Sequence, residues 1–438
     1  MAELQAHRRT DQRSRMKVFK FGGASVKDAG GVKNIADILC LHAGQELIVV
    51  VSAMGKTTNA LEALTDAFFY QKGTAAALLE EIKAYHFNIL KELFADKTNP
   101  VFDELHNTFV ELEWAIEGSP EYAYDQEYDQ IVSMGEIIAT KIISAYLNEQ
   151  KIDTQWWDVR DLIATDNTFR EAKVDWLITE KNIQNILLPH FKKDKTPIIL
   201  LQGFLGVTSE NFNTTLGREG SDYTAAILAY CTNAKSVTIW KDVPGVLNAD
   251  PKWFDETKLI DKLSYQDAIE LAYYGATVIH PKTIKPLQNK EIPLYVRSFL
   301  KPESPGTLIS QAASSLPVPC FIFKVNQLLI SLSPKDFSFI VEENMSTIFR
   351  LFSEHGVRIN TMQNSAISFS ICADNDTRKI PGLLKALQED YRVLYNEGVE
   401  LITIRYYDPA TIDRVCIGKK ILLEVKSRYT VQLVVKNT

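Results

Sequence analysis

Lys20-Phe21-Gly22-Gly23-Ala24-Ser25-Val26 sets a lysine and two glycines at the edge of the first apolar strand, Lys17-Val18-Phe19-Lys20-Phe21. Paired glycines let a backbone pass close to a bulky anion and turn its amide hydrogens toward phosphate oxygens. Lys20 adds a full positive charge beside them. A Gly-Gly after a strand is also an ordinary tight turn, so the motif gains meaning only from what the rest of the chain supplies.

Outward from this stretch, strand and helix signals alternate. Leu47-Ile48-Val49-Val50-Val51 is the continuous apolar run of a strand buried on both faces. A mainly helical stretch runs from about Asn59 to Asn148, broken by a turn at Gly118-Ser119-Pro120. Strands are predicted from Pro197 to Gln202 and from Ser236 to Trp240, with a helix from Tyr223 to Cys231 between them. This order predicts an α/β sandwich with a mainly parallel sheet.

Lys301-Pro302-Glu303-Ser304-Pro305 and the stretch from Ala312 to Pro319 read as linker. Beyond them the pattern becomes α+β. Strands at Leu328 to Leu332, Arg358 to Met362, Ile367 to Cys372, Tyr391 to Tyr395 and Glu400 to Tyr406 surround helices at Phe339 to His355 and Arg378 to Glu389. The βαββαβ order is that of a ferredoxin-like unit. Ile421 to Lys426 and Thr430 to Val435 read as a hairpin left from a second, shortened unit. The expected division is a disordered basic tail (1–15), a catalytic domain (16–310), a linker (311–324) and a regulatory or dimerisation module (325–438).

At 438 residues, 46% hydrophobic and 24% charged, the chain is expected to form two or three ordinary globular domains. No apolar run approaches the roughly 18 residues that span a bilayer. A net charge of -7 argues against general nucleic-acid affinity. The five cysteines lack CxxC spacing, which suits reduced thiols in a cytosol and neither a disulfide frame nor a metal site. The first fifteen residues are basic but lack the apolar core of a secretory signal, and Met16 directly before the first strand is an alternative start. A cytoplasmic enzyme acting on small molecules is the expectation.

Three further loops carry chemistry. Ser52-Ala53-Met54-Gly55-Lys56-Thr57-Thr58 follows a buried strand; a P-loop would need glycine where Val50 stands, so what remains is a hydroxyl-bearing loop at a strand's carboxyl end. Its hydroxyls also suit a plain helix cap. Leu216-Gly217-Arg218-Glu219-Gly220-Ser221-Asp222-Tyr223 places an arginine in a glycine-rich loop before a helix, where it can hold a carboxylate or phosphate bidentately. Asp222 is alternatively an N-cap. Asp242, in Trp240-Lys241-Asp242-Val243-Pro244-Gly245, ends another strand and is either a turn residue or a nucleotide-side group. Glu136 on a helix reads by itself as a solvated face.

Together these blocks, with Gly135-Glu136, Gly203-Phe204, Asp250-Pro251, Tyr274-Gly275-Ala276 and His280-Pro281, resemble the aspartate kinases of the amino-acid kinase family, from Met16 to about Leu308 and on into the C-terminal part. The resemblance implies a carbamate kinase-like catalytic domain followed by ACT units that bind amino-acid effectors. It implies transfer of the γ-phosphoryl of Mg-ATP to the side-chain carboxylate of L-aspartate, giving 4-phospho-L-aspartate, the first step toward lysine, threonine and methionine. Lys20 would neutralise the phosphoryl group while Gly22 and Gly23 cradle it, and Arg218 would clamp a carboxylate. Glu136 and Asp222 would hold the ammonium, and Ser52 and Thr58 would complete the pocket. Asp242, Leu247 and Lys252 would face the nucleotide. Asn360, Asn364 and Ser365 would meet an effector, lysine or threonine, and the C-terminal module would pair two chains as a homodimer. An aspartate carboxylate is already ionised at neutral pH, so no general base and no catalytic histidine is needed.

Four positions depart from the family pattern. Ala24 replaces a threonine, Glu219 a common glycine, Thr277 a lysine that reaches ATP, and Ala366 an acidic residue of lysine-sensitive relatives. Competing readings are a kinase for another acid such as glutamate and an amino-acid sensor that has lost catalysis.

Overall fold

A computed structural model describes residues 15–193, 198–254, 256–276, 279–312, 318–336 and 338–438. Thr277, most of the expected tail (1–14) and the middle of the expected linker (313–317) lie outside the described residues. The chain divides into two compact units: Met1–Val246 with Leu259–Ile269 and Ile279–Ser315, and Leu247–Lys258 with Glu270–Val278 and Leu316–Thr438.

The first unit is built on an eight-stranded sheet. Its strands are β1 (Lys17–Phe21), β2 (Leu47–Val51), β3 (Thr154–Trp157), β4 (Ile198–Gln202), β7 (Ser236–Lys241), β8 (Lys262–Ser264), β9 (Leu294–Ser298) and β10 (Thr307–Ser310), in the order β3-β4-β2-β1-β7-β9-β10-β8. β5 (Leu205–Val207) and β6 (Asn213–Thr215) form a separate hairpin. All neighbours from β3 to β9 run parallel, and only β10 against β9 is antiparallel. β1 and β2 have the bounds expected, and every residue of β2 is inaccessible to water. Burying each of those side chains contributes about 1.5–3 kcal/mol.

Helices cover the sheet: α1 (Ala29–Cys40), α2 (Thr57–Phe69), α3 (Ala75–Leu93), α4 (Val101–Ala115), α5 (Tyr124–Val132), α6 (Met134–Glu149), α7 (Trp176–Asn182), α8 (Leu188–Lys193), α9 (Gly220–Thr232), α10 (Tyr265–Tyr274) and α11 (Pro281–Asn289). The long helical stretch is thus five helices, with extra breaks where turn residues recur. α11 begins at His280, whose ring accepts from the Lys282 N–H, a capping role for the one histidine inside a family block.

The second unit is one six-stranded antiparallel sheet, ordered β12-β13-β11-β14-β16-β15. It comprises β11 (Cys320–Pro334), α12 (Glu342–Glu354), β12 (Ile359–Asn364), β13 (Phe369–Asp374), α13 (Ile380–Asp390), β14 (Tyr391–Arg405), α14 (Pro409–Cys416), β15 (Lys419–Lys426) and β16 (Thr430–Asn437). Three expectations need correction. Linker composition ends at Pro319, and the apolar run from Cys320 to Phe323 already belongs to β11. The two strands expected between Tyr391 and Tyr406 are one, because the stretch around Gly398 is accommodated as a register shift against β11 and not as a turn. The interval after Asp408 holds a helix, capped by Asp408 accepting from the Thr411 N–H at 2.8 Å, with Pro409 in its first turn.

β11 and β14 each serve two cores. One half packs Leu328, Ile330 and Leu332 with Ile348, Phe352 and Leu383, completing a βαββαβ unit. The other half packs Phe321, Ile402 and Ile404 with Val415, Val431 and Leu433. Among the described residues no helix is long and apolar enough to cross a membrane.

Candidate active site

In the order β3-β4-β2-β1-β7-β9, successive strands are added first on one side of β1 and then on the other. Open α/β sheets bind ligands at the carboxyl ends of strands beside such a reversal. There lies a cavity of about 890 Å³ within the first unit. Lys20 from β1, Ser52 after β2, Phe204 after β4 and Lys241 ending β7 line it.

Two glycines make the convergence possible. A Cβ on Gly23 would fall 2.7 Å from the carbonyl oxygen of Ala53, so the loops after β1 and β2 touch through backbone alone. The Gly55 N–H donates to the Gly23 carbonyl at 3.0 Å and fixes that contact. A Cβ on Gly203 would meet the Ser221 Cβ at 2.4 Å, so only glycine lets the end of β4 pass the start of α9.

The start of α9 brings two carboxylates, Glu219 and Asp222, to the lysines of β1 and β7. Lys20 Nζ lies 2.6 Å from Asp222 Oδ1, and Lys241 Nζ lies 3.8 Å from both Asp222 Oδ2 and Glu219 Oε2. Burial pushes the Asp222 carboxyl up, but Lys20 and Lys241 more than offset it and hold the group below the usual range. Glu219 goes the other way: burial raises it, Lys241 opposes, and the neighbouring Asp222 raises it further. Glu219 also has φ +55, the left-handed backbone that favours glycine. Arg218 is exposed at the cavity's rim with no ion-pair partner among the described residues.

Glu136, expected from its local sequence to face solvent, is instead buried in the first turn of α6. Its Oε1 accepts from the Ala53 N–H at 3.1 Å, while Oε2 faces no protein hydrogen-bond partner. Burial pushes its pKa up to about 8, with the Ala53 bond pulling against it. Thr58 and Ser52 are half-buried in the same wall. Lys20, Ser52, Thr58, Glu136, Arg218 and Asp222 therefore share one cavity, with Gly22 and Gly23 in the adjoining turn. Asp242 is exposed and does not line the cavity. Leu247 and Lys252 belong to the second unit, where the Lys252 N–H bonds the Asp250 carboxylate at 2.9 Å.

Sequence reading missed three residues. Lys241 is the last residue of an apolar strand, its only signal. Arg170, also left-handed at φ +67, sits 4.3 Å over the Tyr128 ring and within 3.6 Å of Glu62 and 3.4 Å of Asp125. Asp129 on α5 accepts from the Arg170 N–H (2.9 Å), the Thr215 N–H (2.8 Å) and the Thr215 hydroxyl (2.7 Å), tying two cavity loops to one helix. Burial raises its pKa to about 6 despite these bonds.

In the second unit the Asn360 side chain is committed to Lys324 (2.8 Å), Gln327 (2.7 Å) and Asp374 (2.8 Å). Asn364 and Ser365 are exposed. Among the described residues no group of three or more His, Cys, Asp or Glu is arranged to hold a metal.

Residues 15–298 match the model of the amino acid kinase family. Lysine-sensitive aspartokinase 3 of Escherichia coli K12 is 30% identical over 421 residues, covering 93% of this chain and 90% of that protein. The chain belongs to the amino acid kinase family, among its aspartokinases. The crystal structure of E. coli aspartokinase III in complex with aspartate and ADP superposes with a TM-score of 0.80 at 28% identity, covering 96% of each chain. A chloroplastic bifunctional aspartokinase/homoserine dehydrogenase of Zea mays is 32% identical over 298 residues; the match spans 67% of this chain and 32% of that relative's length.

Proposed function

We propose that this chain is an aspartate kinase, transferring the γ-phosphoryl group of Mg-ATP to the side-chain carboxylate of L-aspartate to give 4-phospho-L-aspartate. The observation that carries this reading is that the Lys20–Asp222–Lys241 cluster shares one cavity with Arg218, which has no ion-pair partner among the described residues. Such a transfer needs little covalent chemistry from the protein; positioning and charge stabilisation dominate. Lys20 and Lys241 stabilise charge on the phosphoryl oxygens, and Gly22 and Gly23 allow the phosphates close approach. Arg218 clamps a substrate carboxylate. Asp222 and the unpartnered Oε2 of Glu136 receive the substrate ammonium, with Ser52 and Thr58 completing the pocket. Asp242, Leu247 and Lys252 are assigned to the nucleotide, and magnesium arrives with ATP.

The second unit is assigned to control and pairing. Asn364 and Ser365, with the backbone near Asn360, contact a lysine or threonine effector. β12 and β15 leave the sheet with two open edges, and Met362 and Ile421 on them are exposed, which favours a homodimer through this unit. A single-chain mass at micromolar concentration would contradict that. The setting is cytoplasmic.

Hydroxylamine trapping tests the activity: ADP release from Mg-ATP is followed with L-aspartate or L-glutamate. Aspartate-dependent ADP release with hydroxamate formation is expected. No turnover with either acid from folded protein overturns the reading and leaves a sensor.

A further inference from the structure

The opposite face of the same strands carries a second concentration of charge. β1, β7 and β9 are neighbours, with Lys17 opposite Ser236 and Thr238 opposite Tyr295. Strand alternation places Lys17, Ser236, Thr238, Tyr295 and Arg297 on one face, and Lys20, three residues along from Lys17, on the other. Over that face lies a cavity of about 600 Å³, to which Arg15, Lys235 and His42 also contribute. It shares no lining residue with the kinase cavity.

Its composition is one-sided. Arg15, Lys17, Lys235 and Arg297 line it, and among the described residues no aspartate or glutamate does. None of the four is in an ion pair among the described residues. Arg297 donates through Nε to the Pro305 carbonyl at 3.3 Å and lies 5.8 Å from the Trp240 ring, which orients it without neutralising it. Burial first, then Lys235 and Arg297, holds the Lys17 ammonium below its usual range. Burial, then Lys17 and Arg297, does the same to His42. In a chain of net charge -7, four uncompensated cations around one cavity are a standing repulsion that an anion would relieve.

We propose that this cavity is a second ligand site that binds a polyphosphate chain, inorganic or the tail of a nucleotide. A triphosphate carries about four negative charges near neutral pH, which matches the four cations. Two arginines offer forked donors and two lysines offer point charges, the mixture that suits adjacent phosphate groups. The volume falls in the range of small-molecule sites, about 300–1,000 Å³. Ser236, Thr238 and Tyr295 add hydroxyls on the sheet face.

Calorimetric titration of the full chain with inorganic tripolyphosphate tests the assignment. Lys17→Gln/Lys235→Gln removes two charges without touching the kinase cavity, and Lys17→Arg/Lys235→Arg keeps them. The glutamine pair is expected to weaken one binding event at least about tenfold, to leave kinase turnover within about twofold, and to keep its melting temperature; the arginine pair retains binding. Parallel titration with a non-hydrolysable ATP analogue assigns the source. Equal losses mean the phosphate chain in either form, and a loss confined to one titrant names that titrant. Wild-type affinity in the glutamine pair overturns the proposal. So does equal affinity for sulfate at matched ionic strength, which would reduce the site to surface charge.

Discussion

Lys17 and Lys20 stand on the same five-residue strand and meet opposite surroundings. At the carboxyl end of β1, Lys20 meets a carboxylate at 2.6 Å, and the neighbouring cavity wall adds the buried Glu136 and the half-buried Glu219. At the amino end, on the other face, Lys17 meets Arg15 and Lys235, with Arg297 farther along that face and no acid among the described residues. On the first rim Lys20, Asp222, Lys241 and Glu219 form an electrostatically closed set in which each charge tunes another, and Arg218 stands outside it. The second is open, and its balance awaits something from solution. One sheet thus separates a site that must hold substrates in register from one that can only attract.

The largest expected contrast comes from neutralising each lysine in turn. On the proposed mechanism Lys20→Ala removes a donor to the transferring group and is expected to lower turnover by roughly two to three orders of magnitude. Lys17→Gln is expected to leave turnover within about twofold. Steady-state ADP release from both variants, with circular dichroism to confirm folding, checks the pair. Near-normal turnover in Lys20→Ala would sink the mechanism and, with it, the distinction between the two rims.

Asp129 carries the next effect, on stability. Asp129→Ala leaves the Arg170 N–H and the Thr215 N–H and hydroxyl without their acceptor. Stranding buried donors costs about 1–3 kcal/mol each at most, and partial rehydration should bring the total to roughly 2–3 kcal/mol in urea unfolding. A loss below about 0.5 kcal/mol would show that the closed rim does not depend on this anchor.

Glu136 turns the comparison into a pH dependence. Its pKa near 8 means that the empty cavity holds it mostly protonated at neutral pH. An incoming ammonium favours the carboxylate, so binding releases a proton. Aspartate affinity should therefore rise with pH and level off above about 8, by up to about tenfold per unit below that value. Glu136→Gln abolishes the dependence. For the free protein the sign is reversed: the folded state binds the proton more tightly than the unfolded chain, so stability falls as pH rises from the ordinary glutamate range toward 8.

Much of this frame is legible in the sequence because it is local. The apolar runs of β1 and β2 set their own bounds, and Gly22-Gly23 and Gly217 to Asp222 announce loops that must approach a ligand. Glu136 was not legible as buried, since only the close packing of Gly135 on Ala53, Leu61 and Thr57 brings that helix inward. Arg170 carries no local signal and Lys241 only its place at the end of an apolar strand; a left-handed turn and a strand order place them. The cationic cavity is the extreme case. Arg15, Lys17, Lys235 and Arg297 span most of the first unit's sequence, and only the β1-β7-β9 order assembles them. In the second unit, the gap expected between Tyr395 and Glu400 is instead part of one long strand, which absorbs Gly398 as an irregularity, as β11 absorbs Asn326.

Glu219 gives the smallest effect and the finest test of the closed rim. It has a left-handed backbone, which favours glycine, and a carboxyl raised by burial and by Asp222. Glu219→Gly relieves the backbone, worth up to about 1 kcal/mol, but also frees the unfolded chain and removes one of the two carboxylates beside Lys241. The carboxyl's contribution has a definite sign. A raised folded-state pKa costs stability once pH exceeds the ordinary glutamate value, so the gain in Glu219→Gly should be larger near pH 8 than near about pH 4.5. Lys241, released from Glu219, becomes more available to phosphate, and the KM for ATP should fall by about twofold to threefold. A higher KM would mean that Glu219 positions Lys241 for the nucleotide and is a working part of this site.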